Sequence, residues 1–470
     1  MNGELHDKLK EQFSAVMHCN IKTVRRDSYR LQFHIMPPFG RLEAPCGFCQ
    51  FQGLYHVFLC YAPLKEREIS HLWEHCTSRD LVHWADEGPV LLPDQPFDSR
   101  GLYSGSALED KDILRLYYTG EGADSAQDSQ HKLTTILAAS HDGRLFGGKQ
   151  PVMVENQLLK AARGCARDPK VWKESESFYM VMGASLGQRG GAALLFRSED
   201  GMDWSFTNEL APEKKFGYQW EHADMFWMDH KRILSVSCRG AGLGETPWAS
   251  ADRSGYFTVE GDLDSEYRLS GFTDWDEGFD FYAPQTMLTA DGRRLLIARM
   301  GLDSREYKDP TAARGWEHAL TVLRELRASH GHILQQPARE LDGFWNAARS
   351  VQCSKEHVIP GLVLYEMGID SIKNADFSLV LAGDLKISYA AAQGLFAVEF
   401  TDSRLGAGRK RKQKLIGRLD SLRILADSSS LEIFINEGET VFSTRFYPAD
   451  PVYEAKVRCM SCHVRIKEKR

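Results

Sequence analysis

The sequence predicts an all-β chain built from two domains, a first domain of repeated small sheets and a second that is a β-sandwich. Three observations predict it. From Tyr29 to about Leu326 short β-rich runs recur, punctuated by Gly, Asp and Pro: Leu54–Tyr61, Ser104–Leu108, Ile113–Thr119, Thr135–Ser140, Phe178–Ala184, Ala192–Ser198, Ile233–Ser237, Gln285–Leu288 and Arg294–Met300. Many short strands at near-regular spacing make a propeller, a sandwich or a barrel. The tail alternates polar and apolar residues again, as sheets packed face to face require. Finally, 470 residues exceed what one ordinary core accommodates.

In chain order, residues 1–28 form an N-terminal helical extension. Leu5, Leu9, Phe13 and Val16 recur at helical spacing, which predicts a helix over Leu5–Val16 packed on the outside of the first domain. Residues 29–326 are the repeat domain. Asp80-Leu81 before Trp84, and Asp200-Gly201 before Trp204, read as outer turns of successive repeats. Residues 327–341 are polar and read as an irregular linker. Residues 342–470 are the sandwich, with strands Leu422–Leu425, Ser430–Asn436 and Thr440–Tyr447 joined by turns at Asp427–Ser429 and Glu437–Glu439.

Composition narrows the function classes. No apolar run approaches the roughly 18–20 residues that span a bilayer. Met1–Asn20 carries mixed charges and no apolar core of a secretory signal, so a cytoplasmic protein is expected. A net charge of −7 argues against nucleic acid as a partner. The basic run Arg409–Lys414 reads as a solvated loop between strands. The ten cysteines are expected to be free thiols in a reducing compartment. Cys46/Cys49 and Cys459/Cys462 form C-x-x-C pairs, but Cys46/Cys49 lacks a complete four-ligand zinc spacing, and the second pair falls in a strand-like run and reads as structural. No metal and no cofactor is expected.

The chain is organised around Tyr29–Pro63. It opens as a loop broken by Pro37, Pro38, Gly40, Pro45 and Gly47, then becomes two strand-like runs that meet at Gly53. A loop that carries polar groups to a point and is pinned by strands is how a β scaffold builds a site. This stretch resembles the opening blade of glycoside hydrolase family 32, which reads Y-H-x-x-P-x-x-G-W-x-N-D-P-N-G and then G-x-Y-H-x-F-Y-Q. The tail Arg423–Pro448 resembles that family's C-terminal sandwich. The resemblance implies a five-bladed β-propeller followed by a C-terminal β-sandwich. It also implies hydrolysis of a β-fructofuranoside, with carboxyls drawn from different blades.

Five further motifs locate the implied site. Gly164–Trp172 reads G-C-A-R-D-P-K-V-W and matches the family's R-D-P-K-V, placing Arg167 and Asp168 against sugar hydroxyls. Tyr218–Phe226 reads Y-Q-W-E-H-A-D-M-F against W-E-C-P-D-x-F. Glu221 is then the general acid/base, a role that calls for a raised pKa, and His222 stands where the family has Cys. Asp280–Thr286, D-F-Y-A-P-Q-T, places Tyr282 and Gln285 buried or facing the pocket. H-L-W-E-H-C-T-S-R-D-L-V-H-W makes Trp73 an aromatic wall, and G-L-Y-S-G-S-A puts Tyr103 and Ser104 near the sugar.

The departures from the family cluster in one place. The segment that should carry the nucleophilic Asp reads R-L-E-A-P-C-G, so Ala44 falls on the nucleophile position, with Arg41, Glu43 and Cys46 as further changes and Arg299 where the family has Trp. Retention needs two carboxyls about 5–5.5 Å apart, inversion about 6.5–9.5 Å. Glu43, another group or a water would have to replace the Asp in a glycosidase. Arg41 and Arg299 suit a phosphate or carboxylate unless Glu43 or Glu74 pairs with them. The expected function is hydrolysis of a β-fructofuranoside or a related glycoside, charged ones included; the alternative is a catalytically degenerate carbohydrate-binding protein, a sensor or scaffold. The partner is a small-molecule or oligosaccharide substrate, without a membrane and with a homo-oligomer left open.

Overall fold

In the computed structural model, the structure describes residues 2–63, 71–122, 132–154, 162, 165–242, 251–301, 307–372, 375–402 and 406–469. Five small antiparallel sheets stand around an axis, followed by one ten-stranded sheet that doubles back as a sandwich. The innermost strands of the five blades are Gly40–Phe51, Gly101–Asp110, Arg167–Glu174, Gln219–Met228 and Tyr282–Leu288, each in contact with the next and the last with the first. After the second strand of blade five the chain returns to blade one, where Trp316–Glu317 pairs in parallel with Gly40–Arg41. It then completes blade five.

Two predicted boundaries are corrected here. The N-terminal helix runs over Asn2–Val24 and not only Leu5–Val16. Leu5 is exposed, while Leu9, Phe13 and Val24 are buried against Phe39, Tyr61, Leu72 and Trp316 of blade one. Phe13→Ala therefore opens a cavity beside the Phe39 ring 5.9 Å away. The expected cost is about 3–5 kcal/mol, read as a lowered melting temperature.

The segment 327–341, expected as a linker, is folded. Arg324–Ser329 and His332–Pro337 form the outer hairpin of blade five, and Arg339–Phe344 turns into the sandwich. Its residues look polar because an outermost strand faces solvent on one side; Leu334, Gln335, Pro337, Ala338 and Leu341 are the buried ones.

The basic run is likewise an edge strand, Lys410–Lys414, paired with Leu395–Phe400. Charge on an edge strand blocks pairing with other chains. In the sandwich the bent strand Tyr453–Glu468 pairs with Phe377–Leu381 through one half and with Tyr365–Asp370 through the other. Leu379, Ile387 and Val398 from one arm and Ile424, Ile433 and Phe442 from the other share one core.

A buried polar network joins the domains. His34 places Nδ1 2.8 Å from Asp427 and Nε2 3.2 Å from Glu432. Burial disfavours its charge, but the hydrogen bonds to these two carboxylates outweigh it and raise its pKa to about 9. A folded-state pKa above the ordinary value of about 6.5 stabilises most below that pH. We expect stability to fall by about 3 kcal/mol between pH 6.5 and 9, and denaturation midpoints for the wild type and His34→Gln to converge across that window. A constant gap would sink the assignment.

Candidate active site

Each inner strand carries a β-bulge, the first strand a second one at Cys46, and five of these bulges hold or flank the predicted site residues. They fall at Glu43, at Tyr103-Ser104, at Asp168-Pro169, at His222-Ala223 and at Ala283-Pro284. A bulge adds a residue to one strand and re-aims its side chain. Asp168, His222 and Ala283 sit there at φ of 62°, 51° and 54°, a backbone region that non-glycine residues occupy at a cost of about 1–2 kcal/mol. Such positions persist only where their surroundings hold them.

Hydrogen bonds between neighbouring blades hold them. Ser104 Oγ donates to the Pro45 carbonyl at 3.2 Å, and Asp168 N to Thr119 Oγ1 at 3.2 Å. His222 N donates to Asp168 Oδ2 at 3.2 Å, Ala283 N to Ser237 Oγ at 3.1 Å, and Arg299 Nη1 to the Glu43 carbonyl at 2.7 Å. These bonds close the circle. Gly183 lets blades three and four meet: a Cβ there would stand 2.4 Å from the Trp220 carbonyl oxygen and 2.8 Å from the Glu221 Cα.

Glu221 is the deepest charge in the ring, 2% exposed. One carboxylate oxygen accepts from Arg167 Nη2, the other from Arg239 Nε at 3.0 Å and from the Tyr282 hydroxyl. Burial alone would raise its pKa. The two guanidiniums outweigh burial and hold it down to about 2. The raised pKa expected of a proton donor is thus not found, and the carboxyl is ionised at neutral pH. Arg239 was missed from the sequence. It ends the strand paired with Gln219–Met228, so the hairpin register, Glu221 opposite Ser237, was the signal that could have found it.

A second cluster surrounds Glu43. Arg41 Nε lies 3.0 Å from Oε1, His71 Nε2 3.6 Å from the same oxygen, and Arg299 Nη1 3.5 Å from Oε2. Burial opposes the charge on Glu43, but His71 and the two arginines hold its pKa down to about 2, and Glu43 in turn raises His71 to about 9. Both predicted arginines therefore bind Glu43. The Arg299 and Arg239 guanidiniums lie 5.1 and 5.4 Å from the centre of the Tyr282 ring, and Arg167 lies 5.2 Å from that of Tyr103. Tyr103 donates to Glu121 at 2.7 Å.

Three predicted sugar contacts take other roles. Trp73 is 0% exposed and offers no wall; its indole N–H donates to the Tyr103 carbonyl at 2.9 Å. Ser104 is buried and binds Pro45, and Gln285 Nε2 donates to the Gly105 carbonyl at 2.8 Å. All three brace bulges, because the strand faces that carry them turn into the blade-to-blade contacts. His222 does line the site, with Nδ1 3.7 Å from Asp168 Oδ2 and without a hydrogen-bond partner.

Residues 34–337 match the model of the glycosyl hydrolases family 32 N-terminal domain, and residues 347–464 that of the family's C-terminal domain. The chain belongs to glycoside hydrolase family 32. Within that family it is 34% identical over 435 residues to a sucrose-6-phosphate hydrolase of Bacillus subtilis, covering 90% of each chain. It is 35% identical over 440 residues to that of Klebsiella pneumoniae, again over 90% of each. Among solved structures, the family 32 β-fructofuranosidase BmSUC1 of Bombyx mori superposes with a TM-score of 0.87 at 26% identity, over 99% of this chain and 98% of that one. Sucrose-6-phosphate hydrolase from Lactobacillus gasseri superposes with a TM-score of 0.89 over 97% and 96%; at 23% identity it speaks for the fold alone. The five-bladed propeller and C-terminal sandwich expected of a family 32 member are both present. Among the described residues no helix is long and apolar enough to cross a membrane.

Proposed function

We propose that this chain hydrolyses a β-fructofuranoside, with sucrose phosphorylated on its glucose unit as the favoured substrate class. The observation that carries the reading is Glu221, a buried carboxyl at the meeting point of the blades, ringed by arginines. Relatives named sucrose-6-phosphate hydrolases support the charged substrate.

Ala44 stands where the family resemblance puts the nucleophile. It is buried against Tyr282 and Ala283 and offers no side-chain oxygen. Glu43, one residue away, is turned to Arg41, His71 and Arg299. These groups support a single displacement with inversion. Glu221 gives its proton to the glycosidic oxygen as the anomeric C–O bond breaks. A water oxygen bonds to the anomeric carbon, and its proton passes to Asp168, the other carboxylate of the ring. The products are fructose and the leaving sugar.

Two measurements test this. Release of sugar from sucrose and sucrose 6-phosphate is followed by NMR, which reads the anomer first formed; inversion gives α-fructofuranose. Ala44→Asp should raise turnover by at least about tenfold and switch the first product to the β-anomer, since a covalent step then becomes available. Retention by the unaltered chain would sink the water mechanism. The absent side chain at Ala44 and the paired, ionised Glu221 favour a second reading, a sugar-binding protein. Binding of these sugars without release at any pH would establish it.

A further inference from the structure

The arginines at Glu221 hold the substrate's charge and the enzyme's proton in one place. Glu221 is buried, but the two guanidiniums that neutralise it are not: Arg167 is 25% and Arg239 32% exposed, against 2% for the carboxylate. Anything entering the site meets the arginines before the carboxylate. A carboxyl that protonates a glycosidic oxygen faces the leaving sugar, so cations hydrogen-bonded to it sit where a charge on that sugar arrives. Arg239 gives Nε to Glu221, while its Nη1 stands 3.6 Å from Asp252. With Nε given to Glu221 and Nη1 beside Asp252, a phosphate engages Arg239 in the bidentate fashion that matches a guanidinium only by displacing one of these carboxylates.

We propose that Arg239, together with Arg167, is the receptor for a phosphate monoester on the leaving sugar, and that capture of these guanidiniums by the phosphate releases Glu221 to take up a proton. The inference rests on the hydrolytic reading above and adds to it a switch: the anionic substrate loads the acid that cleaves it. Binding free energies are reciprocal, so phosphate binding and protonation of Glu221 strengthen each other.

The surroundings of Glu221 allow this and name the competitors. Arg167 and Asp168 face it from blade three, His222 from its own strand, Arg239 and the buried Cys238 from the next strand, and Tyr282 from blade five, with Arg299 behind the Tyr282 ring. Tyr282 is a neutral phenol, held so chiefly by burial and the adjacent Glu221, and its hydroxyl serves the carboxyl in either protonation state. Burial keeps His222 below its ordinary pKa, so it is a second nearby group that an arriving anion would protonate. The proton comes from solvent on binding, leaves Glu221 for the glycosidic oxygen as the C–O bond breaks, and departs with the leaving sugar.

The test uses the leaving sugar, so that no turnover intrudes. Glucose 6-phosphate, glucose and inorganic phosphate are titrated into the whole protein by calorimetry at pH 5.5, in two buffers of different ionisation enthalpy. Because a phosphate monoester itself titrates at about pH 6, the expected result is a proton uptake with glucose 6-phosphate that is greater in the wild type than in Glu221→Gln, and none with glucose. Uptake by inorganic phosphate as well would show that the phosphate alone works the switch. Arg239→Gln should weaken glucose 6-phosphate by about 10–100-fold, the loss of one charge-assisted contact. It should also lower the uptake, which keeps the proposal testable if Glu221→Gln does not fold.

Equal proton exchange in the wild type and Glu221→Gln (which would assign the proton to His222 or to the phosphate), or failure of glucose 6-phosphate to bind, would each overturn the proposal. Hydrolysis of sucrose 6-phosphate without proton-linked binding would sink the switch and leave the hydrolytic reading standing. Proton-linked binding without hydrolysis would do the reverse.

Discussion

Replacing Arg324 with methionine is expected to lower stability by about 3–5 kcal/mol and to loosen the join between the domains. Arg324 is fully buried in blade five. Its Nη2 donates to Asp276 at 3.0 Å, to Glu432 at 2.8 Å and to the Ser443 hydroxyl at 2.6 Å, and its Nη1 to Gln335 at 2.9 Å. Glu432 and Ser443 belong to the sandwich; Asp276 belongs to the propeller. Methionine fills much of the volume but leaves two buried carboxylates without their cation, and an uncompensated buried charge costs far more than the pair contributed. Glu432 would keep His34, 3.2 Å away, so most of the loss falls on Asp276. Lysine should recover only part, because one ammonium cannot serve four acceptors in a fork. Thermal unfolding and limited proteolysis within residues 338–348 measure both effects. An unchanged melting temperature would show that the carboxylates find other partners.

Glu221→Gln is expected to lower kcat on sucrose 6-phosphate by about 10²–10⁴-fold with the fold retained, the range a positioned proton donor contributes. Glutamine keeps the volume and can still accept from Tyr282 and Arg239, but it carries no proton to give. KM should change less than kcat, because the lost interaction belongs to bond breaking. Released glucose 6-phosphate is the readout, with circular dichroism as the control on folding. Undiminished turnover would move the acid role to another group.

Much of this was legible in single residues. Arg167-Asp168-Pro169 and Trp220-Glu221 each mark the start of an inner strand, the first motif on a bulge and the second directly before one. Other features were not legible, for identifiable reasons. The polar 327–341 segment looked like a linker because an outer blade strand has one wet face. Arg409–Lys414 looked like a loop because the partners that hold its charges, Asp280 for Arg409 and Glu399 for Lys410, are remote in sequence. Trp73 looked like a sugar platform, since an aromatic beside a site motif reads the same whether it is bare or packed against Tyr118 and Phe58.

Residue order alone establishes the family 32 frame, two all-β domains and the positions of Glu221 and Asp168, because strand periodicity and turn residues are local properties of the chain. The charge state of the site is decided elsewhere. Arg239 and Tyr282 reach Glu221 from a neighbouring strand and a neighbouring blade, and Arg299 reaches Glu43 across 256 residues of sequence. Whether a buried carboxyl is a proton donor or one half of an ion pair depends on which cations stand within about 4 Å of it. Only the closure of five blades into a ring brings those cations there.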